Sequence, residues 1–128
     1  MFAPVTALYA SLLGILIVVL AIRVSKTRQK QQVNLGDGGK DPMLRAIRMH
    51  GNAVEYVPLT LLLMLVFEIN GGSHLLLHVA GVALIVSRLL HAWGLSQSSA
   101  LTPGRLAGTA IGWALPVALA VSNLLRIY

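Results

Sequence analysis

Long uncharged stretches alternate along this chain with short polar ones. Residues 1–22 carry no charge. A helix needs about 20 apolar residues to cross a bilayer core, so a first span is expected over residues 3–23, closed by Arg23. The polar, glycine-bearing run SKTRQKQQVNLGDGGKDP then predicts one long loop over residues 24–42. Pro42 suits a first helical turn, and a second helix is expected over residues 43–68. Asn70, Gly71, Gly72 and Ser73 form a turn without Lys or Arg. A third helix follows over residues 74–95, and the polar stretch SQSSALTPG separates it from a fourth over residues 104–127. The pattern predicts an all-α, integral membrane four-helix bundle built as one domain over residues 1–128.

Composition agrees. Charged residues make up 11% of the 128 and hydrophobic ones 56%, against about 25% charged in a soluble domain. The net charge is +6, and six of the ten Lys and Arg lie between residues 23 and 45. Positive residues stay on the cytoplasmic side, so the first loop is expected inside and both termini outside. Arg126, at the far end, is outvoted. The first segment has no positive charge before its apolar run, which predicts a retained helix and not a cleaved leader. No cysteine is present, which removes disulfides and cysteine nucleophiles. A mostly apolar chain without a basic, aromatic-laced face excludes nucleic-acid binding.

The second and third helices carry polar residues that a span should lack. Residues 56–67 give only 12 uncharged positions, so the second helix must draw Arg48, Asn52 and Glu55 into or near the membrane. Arg88 and His91 burden the third helix likewise. Such groups cost about 2.5–3.5 kcal/mol each on insertion scales and normally face a bundle interior. Arg45, Arg48, Asn52 and Glu55 follow i, i+3, i+7, i+10 and share one helical stripe. The second helix enters from the cytoplasmic side and the third returns to it, so both clusters lie at one depth. Arg23 ends the first helix there and Arg105 opens the fourth. Buried ion pairs that only hold helices together would explain part of this. One Glu cannot balance Arg48, Arg88 and Arg105, however, so an anionic ligand is the expected missing partner.

Other features point to structure. Gly104, Gly108 and Gly112 are spaced for close helix packing. Pro58 removes a backbone hydrogen bond and is expected to kink the second helix beyond Glu55. His74 and His78 have the i, i+4 spacing of a metal pair but no third ligand, so no metal site is expected. Trp93, Trp113 and Tyr128 read as interface or packing aromatics.

The run Arg45-Ala46-Ile47-Arg48-Met49-His50-Gly51-Asn52-Ala53-Val54-Glu55-Tyr56-Val57-Pro58 resembles the second helix of the MAPEG family, the membrane-associated proteins in eicosanoid and glutathione metabolism. Arg48, Asn52, Glu55 and Pro58 match its motif. Ser87-Arg88-Leu89-Leu90-His91-Ala92 is similar to the end of the family's third helix, and Pro103-Gly104-Arg105 to the entry of its fourth. The resemblance covers nearly the whole chain and implies a homotrimer with glutathione between subunits near the cytoplasmic face. It implies that Arg48 and Asn52 hold the peptide's backbone and carboxylates, Glu55 its ammonium, and His91 a further contact. Arg105 would stabilise the thiolate, Arg23 would reach in from the first helix, and Arg88 belongs to the same cationic cluster. Several Arg and one Glu complement a ligand with two carboxylates and one ammonium, and a nearby guanidinium lowers a thiol pKa.

Four residues depart from that family's pattern. Leu95 stands where its transferases carry a tyrosine one turn after the histidine, Gly108 and Thr109 where another tyrosine is expected, and Gly51 where a second arginine lies. They imply weaker or altered ligand binding, and the chain resembles the small bacterial members, hence the bacterial inner membrane. The expected function is a glutathione-dependent membrane transferase, with possible peroxidase activity, acting on lipophilic electrophiles. The alternative is a non-catalytic membrane protein that binds a lipid or other anionic ligand.

Overall fold

The computed structural model describes residues 2–127; Tyr128 lies outside the described residues. Four helices follow one another: α1 Pro4–Gln31, α2 Asp41–Ile69, α3 His74–Gln97 and α4 Pro103–Ile127. All four are long and apolar enough to cross a membrane, and no strand occurs among the described residues.

The helix ends show how the chain sets its boundaries. α1 begins with Pro4 in its first turn and without a side-chain cap from Ala3. Its orphan N–H groups are met from another helix instead: Glu68 of α2 accepts from the Val5 N–H at 2.9 Å and the Thr6 N–H at 2.7 Å. At the other end α1 runs past the expected stop at Arg23 to Gln31. Residues 24–31 end the hydrocarbon span but not the helix, because Lys, Arg and Gln are good helix formers. Gln32 closes it in the left-handed region, at φ 55°, and the Val33 N–H reaches back to the Arg28 carbonyl. Ser73 caps α3 by accepting from the Leu76 N–H, and the Thr102 hydroxyl accepts from the Arg105 N–H at the start of α4. α2 continues unbroken through Pro58.

α2 and α3 each pack on every other helix, while α1 and α4 do not touch each other. The core therefore lies around the two helices that carry the polar residues. Val5, Tyr9, Leu13, Val57, Met64, Phe67, Leu77 and Leu84 fill the half near the chain termini. Leu20, Met49, Ala53 and Leu95 form a smaller cluster towards the α1–α2 loop. Val33 folds back from the loop onto Met43 and Ala46. Lipid is as apolar as leucine, so close backbone approach, more than hydrophobic burial, must hold such a bundle together. The glycines supply it, as expected: a Cβ at Gly104 would strike Trp93 and one at Gly108 would strike Ser87 and His91. The outward faces stay apolar, with Ile15, Val18, Leu62, Val82 and Val117 all exposed.

Candidate functional site

Arg88 is 2% exposed and lies at the junction of α2, α3 and α4. Its guanidinium donates to the Asn52 side-chain oxygen, to the Gly108 carbonyl at 2.9 Å and to the Ser87 hydroxyl at 3.1 Å, with a longer bond to the Asn52 carbonyl. The Tyr56 ring stacks against it, 5.4 Å from ring centroid to guanidinium carbon. No carboxylate is involved; neutral acceptors take up the N–H groups without neutralising the charge. Arg88 thus lacks a counter-charge, as expected of the central arginines, but its N–H groups are already engaged by the chain and do not wait for a ligand. Gly112 makes the arrangement possible, because a side chain there would collide with the guanidinium.

Arg48 and Glu55 behave differently. They lie two turns apart on α2 and pair at 3.3 Å, with 47% and 51% of their side chains exposed. Gly51 sits between them on the same face, and a Cβ there would touch Arg48 at 3.6 Å and Glu55 at 3.9 Å. The single stripe expected on α2 is thus divided. Asn52 turns inward to Arg88, while Arg48 and Glu55 face out of the bundle. Arg45 leaves the group altogether, pairing with Asp41 at 2.9 Å and donating to the Leu95 and Ser96 carbonyls.

His91 is the point where the remaining charges meet. It is buried, at 5% exposure, and lies within electrostatic reach of Arg88, Arg105, Arg48 and Glu55. Residues from α2, α3 and α4 are therefore gathered at one depth, as their spacing predicted. Arg105 donates to the Ser99 carbonyl at 3.0 Å and is half-buried. Arg23 is not brought to the cluster: it is exposed in a groove lined by α1 alone.

The departures from the expected pattern have structural meanings. Leu95 is 3% exposed and packs with Leu20, Met49 and Ala53, so that position belongs to the core. The Thr109 hydroxyl donates to the Arg105 carbonyl at 2.9 Å. Sequence reasoning passed over Tyr56, whose hydroxyl accepts from the Trp113 indole N–H at 2.8 Å and ties α2 to α4. Its place one turn beyond Asn52 was the available signal. Of the two spaced histidines, His78 bonds with the Tyr9 hydroxyl and His74 stands 3.9 Å from Glu68. Among the described residues no three His, Asp or Glu side chains converge to hold a metal.

The MAPEG family model matches residues 6–125. The inner membrane protein YecN of Escherichia coli (strain K12) is 37% identical over 120 residues, which covers 94% of this chain and 90% of that protein. The YecN protein of Escherichia coli O6:H1 is similar to the same extent.

Proposed function

We propose, from the premise that the chain belongs to the MAPEG family, that it is a glutathione-dependent transferase acting on lipophilic electrophiles. It would work in the inner membrane of a bacterium, the location that the YecN name gives for that relative. The observation that carries the reading is the exposed Arg48–Glu55 pair on a membrane-crossing helix. Lipid contact with two ionised groups is expensive, so this face needs a polar guest, an adjacent copy of the chain, or both. A bare guanidinium would accept any anion. A guanidinium beside a carboxylate suits a zwitterion: the guest's carboxylate takes Arg48 and its ammonium takes Glu55, and no charge is left unpaired. Glutathione's γ-glutamyl end offers that pair of groups.

Asn52 serves this site through its remaining side-chain amide N–H groups, since Arg88 already occupies its side-chain oxygen and reaches its backbone carbonyl. The His91 ring offers a further contact. Arg105 is the group for the sulfur, because a guanidinium favours thiolate over thiol. The thiol proton leaves to water, the sulfur attacks the electrophilic carbon, a carbon–sulfur bond forms and the leaving group departs. A peroxide would be reduced by the same thiolate, which takes one peroxide oxygen to become a sulfenic acid and releases an alcohol; a second glutathione then closes a disulfide and releases water. Arg88 is a positioning residue in this scheme, since it acts through Asn52 and Tyr56. Because the pair lies on the outside of the bundle, a second copy is needed to enclose the peptide, and a homotrimer meets that need.

One observation favours a non-catalytic binder of a lipid or other anion. At the two positions where the family's transferases carry tyrosines, Leu95 is packed in the core and the Thr109 hydroxyl donates to the Arg105 backbone carbonyl. Titration calorimetry with glutathione, on wild type and Arg48→Ala, tests the binding step. A standard aryl-halide conjugation assay then separates the two readings. Turnover that falls in Arg105→Ala supports the transferase, binding without turnover supports the binder, and no binding by wild type at millimolar glutathione overturns the glutathione reading.

A further inference from the structure

We propose that the loop-side end of α1 is a binding site for an anionic phospholipid, with its phosphate on Arg23, Lys26 and Lys30 and an acyl chain along Val19 and Ile22. These residues and Thr27 line a groove of about 330 Å³, and no other helix contributes to it. Their spacing, i, i+3, i+4, i+7, i+8, i+11, is that of one helical face. The chemistry changes along that face from apolar to cationic. Val19 and Ile22 are about half exposed, and Arg23, Lys26 and Lys30 are all exposed.

The change falls where a bilayer requires it. At 1.5 Å per residue, Arg23 stands about 29 Å along the axis from Pro4, close to the roughly 30 Å of a hydrocarbon core. Lys26 and Lys30 lie roughly 5 and 10 Å further, at the depth of headgroups. A phosphate reaching down towards Arg23 leaves its acyl chain against Ile22 and Val19.

The charges of this groove are also free, whereas those beside it are engaged. Arg28 donates to the Gly36 carbonyl at 2.8 Å, and Lys40 donates to the Gln31 carbonyl. Among the described residues Arg23, Lys26 and Lys30 have no carboxylate partner. α1 contains no acidic residue. A second copy of this chain has few carboxylates to offer, because each of its four acidic side chains already has a partner within its own chain. Asp37 accepts from the Gly39 N–H, Asp41 pairs with Arg45, Glu55 with Arg48, and Glu68 caps α1. An anion from outside the protein meets the need, and the apolar floor of the groove suits one that carries an acyl chain. Arg23 is the one side chain this assignment shares with the peptide site that the family resemblance implies; it shares none with the Arg48–Glu55 pair.

Native mass spectrometry of the purified protein with added phosphatidylglycerol or phosphatidylcholine tests it. Wild type should retain phosphatidylglycerol preferentially. Lys26→Gln/Lys30→Gln should lose about fivefold in retention per lysine removed, and Lys26→Arg/Lys30→Arg should recover it. Arg28→Gln/Lys40→Gln removes equal charge outside the groove and should change retention little. Equal loss in both glutamine pairs would overturn the site, as would displacement of the lipid by excess inorganic phosphate. The chain has no cysteine, so Ile22→Cys gives a clean further probe. Disulfide formation between copies at that position in native membranes would put protein, not lipid, on this face and sink the proposal.

Discussion

At the end of the bundle where α1 begins and α4 finishes, charged side chains are bonded to backbone. Glu68 holds two amides of α1. Arg126 donates to the Asn70 and Gly71 carbonyls and lies over the Phe67 ring. Arg88, deeper in the bundle, follows the same rule with two carbonyls, an amide oxygen and a hydroxyl. Towards the α1–α2 loop the rule holds only in part: Arg28, Lys40, Arg45 and Arg105 still reach backbone carbonyls, but other charges do not. Arg48 has only Glu55, at a long 3.3 Å and in the open, and among the described residues none of the four cations of α1 has an acidic partner. Backbone acceptors cannot leave, so a charge bonded to them is part of the fold. A charge held by one exposed side chain can exchange its partner for a ligand.

The sharpest way to break that distinction is at Arg88. Arg88→Ala strips the Asn52 side-chain oxygen of its donor and the Gly108 carbonyl of its second donor at the crossing of three helices, and opens a cavity beside Tyr56. The expected loss is about 3–5 kcal/mol, from acceptors left short and the cavity, measured by reversible unfolding in mixed micelles. A loss below about 1 kcal/mol would place Arg88 with the exchangeable charges instead. Glu68→Ala comes next. It strips two buried amides of their acceptor, with an expected loss of about 1–3 kcal/mol, and hydrogen exchange should rise at Val5 and Thr6. Exchange confined to other helices would mean that the cap is idle. Arg126→Ala removes carbonyl bonds at an exposed turn, and about 1 kcal/mol is expected. Because the turn is exposed, water can replace the lost donor.

The sequence made the spans and their depth legible because an uncharged run of membrane length has few other uses. It also placed Arg48, Glu55, Arg88 and His91 at one level, from helical spacing and the direction of each helix alone. It could not distinguish Arg48 from Arg88. The main acceptors of Arg88 include the Gly108 carbonyl, and a carbonyl has no signature in sequence. Gly112 read only as a small residue for packing, although what packs there is the guanidinium itself. The tail of α1 was missed for a related reason: Lys26, Arg28 and Lys30 end a membrane span without ending a helix. Glu68 read as the last residue of α2, since nothing local announces that its carboxylate will cap a helix about sixty residues away.

Arg48→Ala is the smallest perturbation to the fold and the most informative about function. An exposed pair of this kind contributes at most about 1 kcal/mol, so unfolding should shift by less than that, and Glu55→Gln should behave alike. If the two charges exchange partners with a zwitterionic peptide, removing either one leaves half of the guest unmatched. Glutathione affinity should then fall in both variants although stability does not. The double variant should lose less than the sum of the single losses, because the second removal relieves a charge that the first left stranded. Gly51→Leu sets the same question sterically, since a branched side chain between the two charges blocks the guest without altering either. Glutathione affinity that survives all three changes would mean that the exposed pair is no site, and that the polar face of α2 serves only to meet another subunit.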